Sequence, residues 1–256
     1  MGGCKGADAL VAERVARRSL AEAGIHDWGL ARPTARVVAH VRDATAMGAT
    51  MEIDTFVGSI TDSALGAHVI VNAGNPEVAL GSGVSGAIRE VCGPSFQAEV
   101  RERLEEDFGA PLEPGDCLVT GAGIATAFRH VLHVPSVDYR RPDRRTGLPT
   151  SAERVIACAH SVIREAARVA RETALEGQLV VGLPVLGAGH GGLGLVAGLD
   201  ALMAGVKAAM REEPAAANAI ARLVIVGLDA ETARLARLAA AKHGLPVRTA
   251  PGSRGK

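Results

Sequence analysis

Between Met51 and His243, short apolar runs alternate with segments of helical periodicity. This alternation constrains the fold more than any other feature of the chain. MEIDTFV (51–57) alternates in the manner of a strand, and AHVIVNA (67–73) is apolar enough for a buried one. CLVT, HVLHV, QLVVGLPVL and RLVIVGL supply further strand candidates. Helical patterns lie at Val84–Val91, Phe96–Phe108 and near Val196–Met210. Thr150-Ser151-Ala152-Glu153 reads as a capping box. It opens a long helix whose apolar positions, Val155, Ala159, Val162, Ile163 and Ala166, recur at helical spacing. Asp229 caps a last helix ending near His243, with Gly244 as its stop. Strands that alternate with helices predict an α/β sandwich around a largely parallel sheet.

Residues 1–50 read as an N-terminal extension packed on the domain. They hold a helix capped by Asp8 and one short β-like run, ARVVAHV, with too little apolar material for a core of their own. Residues 51–246 form the domain, and 247–256 read as a flexible tail.

Charge and composition exclude several classes. Lys plus Arg equals Asp plus Glu at 28 each, which leaves no global field to attract nucleic acid or an anionic membrane. Aromatics are 2% of the chain, too few for a base-stacking platform. No apolar run reaches the ~18 residues of a membrane span, and MGGCKGADAL has no apolar leader segment. Cys4, Cys92, Cys117 and Cys158 are scattered, without metal spacing, as expected of buried thiols in a reducing cytoplasm. His130 and His133 form H-x-x-H on a strand pattern, where the two cannot share a face, so both read as structural. Arg140, Arg141, Arg144 and Arg145 crowd one loop, either a solvated one or an anion contact.

Two glycine loops carry the chemistry. Gly81-Ser82-Gly83-Val84-Ser85-Gly86 spells G-x-G-x-x-G, yet it starts about nine residues after its strand ends near Asn72. A dinucleotide fingerprint puts its first glycine at the strand end, so the match to a dehydrogenase is poor. Gly187-Ala188-Gly189-His190-Gly191-Gly192 repeats the pattern directly after QLVVGLPV. Glycines let backbone N–H groups approach phosphate oxygens closely. Two such loops can form a two-sided cradle for a diphosphate.

In order and spacing these segments resemble the macro domain family. VIVNAGNPEVALGSGVSGAIREVCG resembles its strand, Asn-Ala-Ala-Asn, glycine cluster and Val-x-Gly-Ala-Ile helix. VGSIT resembles its Gly-Asp-Ile-Thr, and GLPVLGAGHGGLG its second phosphate loop. The resemblance also takes in CLVTGAGIAT, HVLHVPSVDYR and RLVIVGLD, so it spans about Met51 to His243. It implies a three-layer α/β/α sandwich with a mixed central sheet, and ADP-ribose as ligand with no cofactor. It implies, too, hydrolysis of mono-ADP-ribosyl linkages on a modified protein or nucleic acid. Ser59, Ile60 and Leu228 would hold the adenine end, and Asn72 precedes the first loop. Asn75 would face the distal ribose. Gly81, Ser82, Gly83, Val84 and Gly86 would wrap that ribose and one phosphate. Gly187, Ala188, Gly189, Gly191 and Gly192 would close on the diphosphate.

The departures bear on catalysis. Ser59 replaces the family's aspartate at the adenine end, and Leu228 replaces a frequent aromatic. Gly191 stands where an aromatic often covers the distal ribose. Gly83-Val84-Ser85-Gly86 has Ser85 where one hydrolytic branch carries Gly-Val-Asp-Gly, and a serine hydroxyl cannot act unaided as a general base near neutral pH. His190 becomes the candidate base, with Asn75 and Ser85 as further catalytic candidates and Asp138 and Tyr139 behind them. A non-catalytic reader of ADP-ribose or a related nucleotide is the alternative.

Overall fold

The computed structural model describes residues 51–248. The expected extension at 1–50, with its Asp8-capped helix and ARVVAHV, lies outside the described residues, as do residues 249–256 of the expected tail.

Six strands form one sheet: β1 (Glu52–Val57), β2 (Val69–Gly74), β3 (Leu118–Gly121), β4 (His130–Pro135), β5 (Leu179–Pro184) and β6 (Ile220–Gly227). Their spatial order is β1-β6-β5-β2-β4-β3. Every pairing is parallel except that of β3 with β4, so the sheet is mixed. The helices are α1 (Gly83–Cys92), α2 (Phe96–Asp107), α3 (Ala152–Glu172), α4 (Leu195–Glu212), α5 (Pro214–Asn218) and α6 (Ala230–Lys242). Each strand and long helix expected between residues 51 and 248 is present. The short α5, opened by a proline, and a 3-10 turn at Ser63–Leu65 carried no periodic signal.

Period-two alternation divides the core between the two faces of the sheet. Val69 and Val71 of β2 and Leu132 and Val134 of β4 pack with α3, α4 and α6. Ile70 and Val131 point the other way, against Ile88 of α1 and Phe96 and Val100 of α2. The result is three layers, helices–sheet–helices. In α3, Val155, Ala159, Val162, Ile163 and Ala166 are all fully buried, as their spacing predicts.

Capping differs by one residue from the expectation for α3. Ser151, not Thr150, is the N-cap and accepts the Arg154 N–H. The Thr150 hydroxyl donates instead to the Ser136 carbonyl at 2.6 Å, which ties the helix start to the end of β4. Asp229 caps α6 as expected, accepting the Thr232 N–H at 2.7 Å, and Gly244 takes φ +69° just beyond that helix. Residues 247 and 248 are held to the sheet. Val247 bridges Ile53, and the Arg248 N–H donates to the Ile53 carbonyl. No helix among the described residues is long and apolar enough to cross a membrane.

Candidate functional site

Five of the six strands end at one cleft of about 540 Å³, within the range of small-molecule sites. Ser59 and Ile60 line it beyond β1, with Leu228 beyond β6. The loop after β5 brings Gly187, Gly189, His190 and Gly191, and β2 brings Gly74 and Asn75. Ser136, Val137 and Tyr139 follow β4. The start of α1 adds Gly81, Ser82, Gly83, Val84 and Ser85. Open parallel sheets bind ligands at the carboxyl ends of their strands, and the two glycine loops meet there.

Four expected ligand positions stand back from the cleft. Asn72 is fully buried beneath it. Gly86 packs against the Gly81 carbonyl, 3.1 Å from where its Cβ would be, so it shapes the loop rather than lining the cleft. Ala188 lies against Gly198 of α4, and Gly192 against Leu148. Asp138 does not line the cleft either. It is buried and accepts the N–H groups of Arg140 and Arg141 and the Arg141 guanidinium. Burial opposes its ionisation, but these bonds outweigh that and hold its carboxyl below the ordinary carboxylate value.

The loop after β2 is clamped from both sides. The Asn75 side-chain oxygen accepts the Ala79 N–H at 3.0 Å. Gln97 of α2 accepts the Leu80 N–H at 2.6 Å and donates to the Val78 carbonyl at 3.2 Å. Val78 is buried with φ +49°, a left-handed conformation that a β-branched residue rarely takes. Neither Gln97 nor Val78 carried a sequence signal, because their roles depend on backbone groups brought together by folding. Ser82, the N-cap of α1, makes no side-chain capping bond. The first amides of α1 therefore meet no side-chain acceptor from their own N-cap, and they lie beside the cleft.

The second loop is closed on itself: the Leu193 N–H donates to the Gly187 carbonyl, and the Gly192 N–H to that of Gly189. Gly187 has φ +73°, and a Cβ on Gly191 would lie 2.5 Å from the Gly187 carbonyl oxygen. No side chain fits at Gly191 without a shift of the loop, so His190 is the loop's one large side chain in the lining. Tyr139, which follows β4, is the one Phe, Tyr or Trp of the lining and is 60% exposed.

No Asp, Glu, Lys or Arg lines the cleft. Its side chains that can exchange protons are His190, exposed in the second loop, and Tyr139. The arginine loop nearby is largely neutralised. Arg140 pairs with Glu77, Arg141 with Glu113 and Asp138, and Arg145 with Glu153. Behind the wall Ser85 donates to Asn72 Oδ1 at 2.8 Å, and Asn72 Nδ2 lies 3.0 Å from His133 Nδ1. Burial lowers His133 to about 3, so its ring is neutral. Cys92, Cys117 and Cys158 are buried free thiols, pushed up by burial, Cys92 to about 11 and Cys158 to about 12. Among the described residues no group of three His, Cys, Asp or Glu side chains is placed to hold a metal.

A family model described as Macro domain matches residues 71–198, half of the chain. A macro domain-containing protein of Listeria monocytogenes is 36% identical over 83 residues, 32% of this chain and 44% of that protein. An O-acetyl-ADP-ribose deacetylase of Klebsiella pneumoniae is 39% identical over 70 residues, 27% of this chain and 38% of the enzyme. The chain thus spans about half or less of the length of the curated relatives it matches. Among solved structures, the Oceanobacillus iheyensis macrodomain with ADP superimposes with a TM-score of 0.56 at 20% identity. That match covers 73% of this chain and 88% of the other. The Trypanosoma brucei macrodomain in complex with ADP-ribose gives 0.54 at 22% identity, covering 73% and 68%. Both share the three-layer fold.

Proposed function

The chain belongs to the macro domain family, and we propose that its cleft binds ADP-ribose and hydrolyses mono-ADP-ribosyl linkages on a modified protein or nucleic acid. The observation that carries this reading is the lining itself. Two glycine loops and the first turn of α1 face one cleft, with no carboxylate in its lining to repel a diphosphate. Backbone amides and the α1 N-terminus supply the anion contacts. Ser59, Ile60 and Leu228 stand at one end for the adenine. Asn75 and Tyr139, which follow β2 and β4 on the other side of the strand order, would take the distal ribose and the acceptor. The names of the relatives, an O-acetyl-ADP-ribose deacetylase among them, and the ADP and ADP-ribose in the structural neighbours support the ligand class.

Hydrolysis adds water at the anomeric carbon of the distal ribose while the bond to the acceptor breaks. His190 takes the proton from the water, and the departing acceptor is protonated from solvent. The two loops hold water and ribose in line, which contributes through orientation. The three buried thiols fit a reducing cytoplasm.

The missing carboxylate favours one alternative, a reader that binds without turnover. Calorimetric titration with ADP-ribose, ADP and NAD tests the binding, and no heat with ADP-ribose at millimolar concentration would overturn it. Release of ADP-ribose from a modified protein and a modified oligonucleotide, with wild type and His190→Ala, separates the two readings. Loss of turnover with binding retained supports His190 as the base. Binding without turnover in wild type establishes the reader.

A further inference from the structure

Beneath the first glycine loop, four polar side chains cross the apolar face of the sheet that α1 and α2 cover. Asn72 and His133 are direct partners in the β2–β4 register, and Thr120 of β3 shares their face. Ser85 reaches them from the first turn of α1. All four are at least nine-tenths buried, and Asn72 and His133 are wholly so. Phe96 packs on the imidazole with ring centres 6.2 Å apart. Of the four, only Ser85 lines the cleft.

The bonds form a single chain. Ser85 Oγ lies 2.8 Å from Asn72 Oδ1, Asn72 Nδ2 lies 3.0 Å from His133 Nδ1, and His133 Nε2 lies 3.0 Å from Thr120 Oγ1. Thr120 Oγ1 in turn donates to the Gly121 carbonyl at 2.9 Å. A neutral imidazole has one donor and one acceptor nitrogen, and an amide has one donor end and one acceptor end. The chain therefore has two self-consistent directions. In the first, Ser85 donates to Asn72, Asn72 to Nδ1, Nε2–H to Thr120 and Thr120 to Gly121. In the second, the amide is turned, Nδ1–H donates to Asn72, Thr120 donates to Nε2, and Ser85 receives an N–H. The second direction gives up the Thr120-to-Gly121 bond, so the first keeps one more hydrogen bond.

We propose that His133, acting through Asn72, holds the Ser85 hydroxyl as a hydrogen-bond acceptor toward the cleft, so that Asn72, His133 and Thr120 are positioning residues selecting ligands that present a donor at Ser85. With its proton committed inward, the serine oxygen offers the cleft only lone pairs. A ribose hydroxyl or a water satisfies it, and a phosphate oxygen or a carbonyl does not. Neutral His133, lowered by burial, keeps the polarity fixed across ordinary pH. The selection deepens the ADP-ribose reading and rests on it for the identity of the ligand. The direction of the chain does not.

Two measurements test it. Long-range proton–nitrogen correlation spectra of the full chain, labelled with 15N-histidine and free of ligand, report the His133 tautomer. A proton on Nε2 is expected, and a proton on Nδ1 overturns the proposal. A double-mutant cycle with Thr120→Val and Ser85→Ala then follows ADP-ribose affinity by calorimetry. Each single change is expected to weaken binding about 3–10-fold, and the double variant to bind no more weakly than Ser85→Ala alone. Multiplying effects, or a Thr120→Val variant that binds as wild type, would overturn it. If wild type fails to bind ADP-ribose, the function proposed above falls, and the tautomer still decides the direction of the chain.

Discussion

The side-chain oxygen of Asn75 accepts the backbone N–H of Ala79 at 3.0 Å, so that oxygen holds the loop and the amide hydrogens are the donors Asn75 can offer a ligand. Asn75→Asp keeps the oxygen that holds the loop but removes the donor and adds a negative charge near the proposed diphosphate. ADP-ribose affinity is expected to fall at least about tenfold, the loss of one charge-assisted contact plus repulsion. The melting temperature should stay within about 2 °C. Asn75→Ala should lose both affinity and a few degrees. An Asn75→Asp variant that binds like wild type in calorimetry would remove Asn75 from the site.

Two glycines of one loop should respond unequally, one substitution destabilising and the other nearly neutral. A Cβ at Gly191 would lie 2.5 Å from the Gly187 carbonyl oxygen, whereas one at Gly189 would meet nothing within 4 Å. Gly191→Ala forces the loop open at a cost of roughly 1–3 kcal/mol, several degrees in melting temperature for a domain of this size. It should also weaken ADP-ribose binding more than tenfold. Gly189→Ala should change stability by less than about 0.5 kcal/mol. Thermal unfolding and titration of the two variants side by side check both statements.

Leu228 stands at the cleft with 85% of its surface exposed, where an aromatic would offer a stacking face. Leu228→Trp is expected to raise the affinity for ADP-ribose and AMP several-fold, in line with ~0.5–1.5 kcal/mol for ring stacking. Stability should not change, because the side chain packs on little. Ribose 5-phosphate, which has no adenine, serves as the control and should bind both forms equally. An equal gain for all three ligands would place the adenine elsewhere.

Most of the architecture was legible in the chain. Strands and long helices follow from periodicity, because each element buries a face and a buried face must repeat. The two glycine loops were legible as a pair, and both reach the cleft. What could not be read were the long-range partners of polar residues. Asn72 was expected at the ligand and instead serves Ser85 and His133, 13 and 61 residues away. Asp138, a site candidate by sequence, instead anchors the arginine loop. An asparagine after a strand reads the same in either place. Only the sheet register, which no local pattern encodes, puts His133 beside it.

Acid should destabilise the domain through a buried histidine. Burial lowers His133 from 6.5 to about 3, so below pH 6.5 the unfolded chain binds a proton that the folded one refuses. Stability is therefore fully present above 6.5 and is lost as pH falls toward 3, by about 2 kcal/mol between pH 7 and 5. His68, lowered by its own burial and by Arg129 and Arg222, adds in the same direction. Urea unfolding at the two pH values measures the difference. Equal stability would mean that His133 is not buried neutral.

The strand order also has a consequence for biosynthesis. Among the described residues, β1, at the sheet edge, pairs with β6 alone of the strands, and its outer contacts come from Pro246, Val247 and Arg248. Among these residues β1 thus finds its strand partner only when β6, the last strand, has left the ribosome. β5 and β2 can pair earlier, but Ser59 and Ile60 reach the cleft only when β6 slides between β1 and β5. A nascent or truncated chain that stops short of β6 carries both glycine loops and still has half a binding site. An intact cleft therefore requires the chain to be complete through β6.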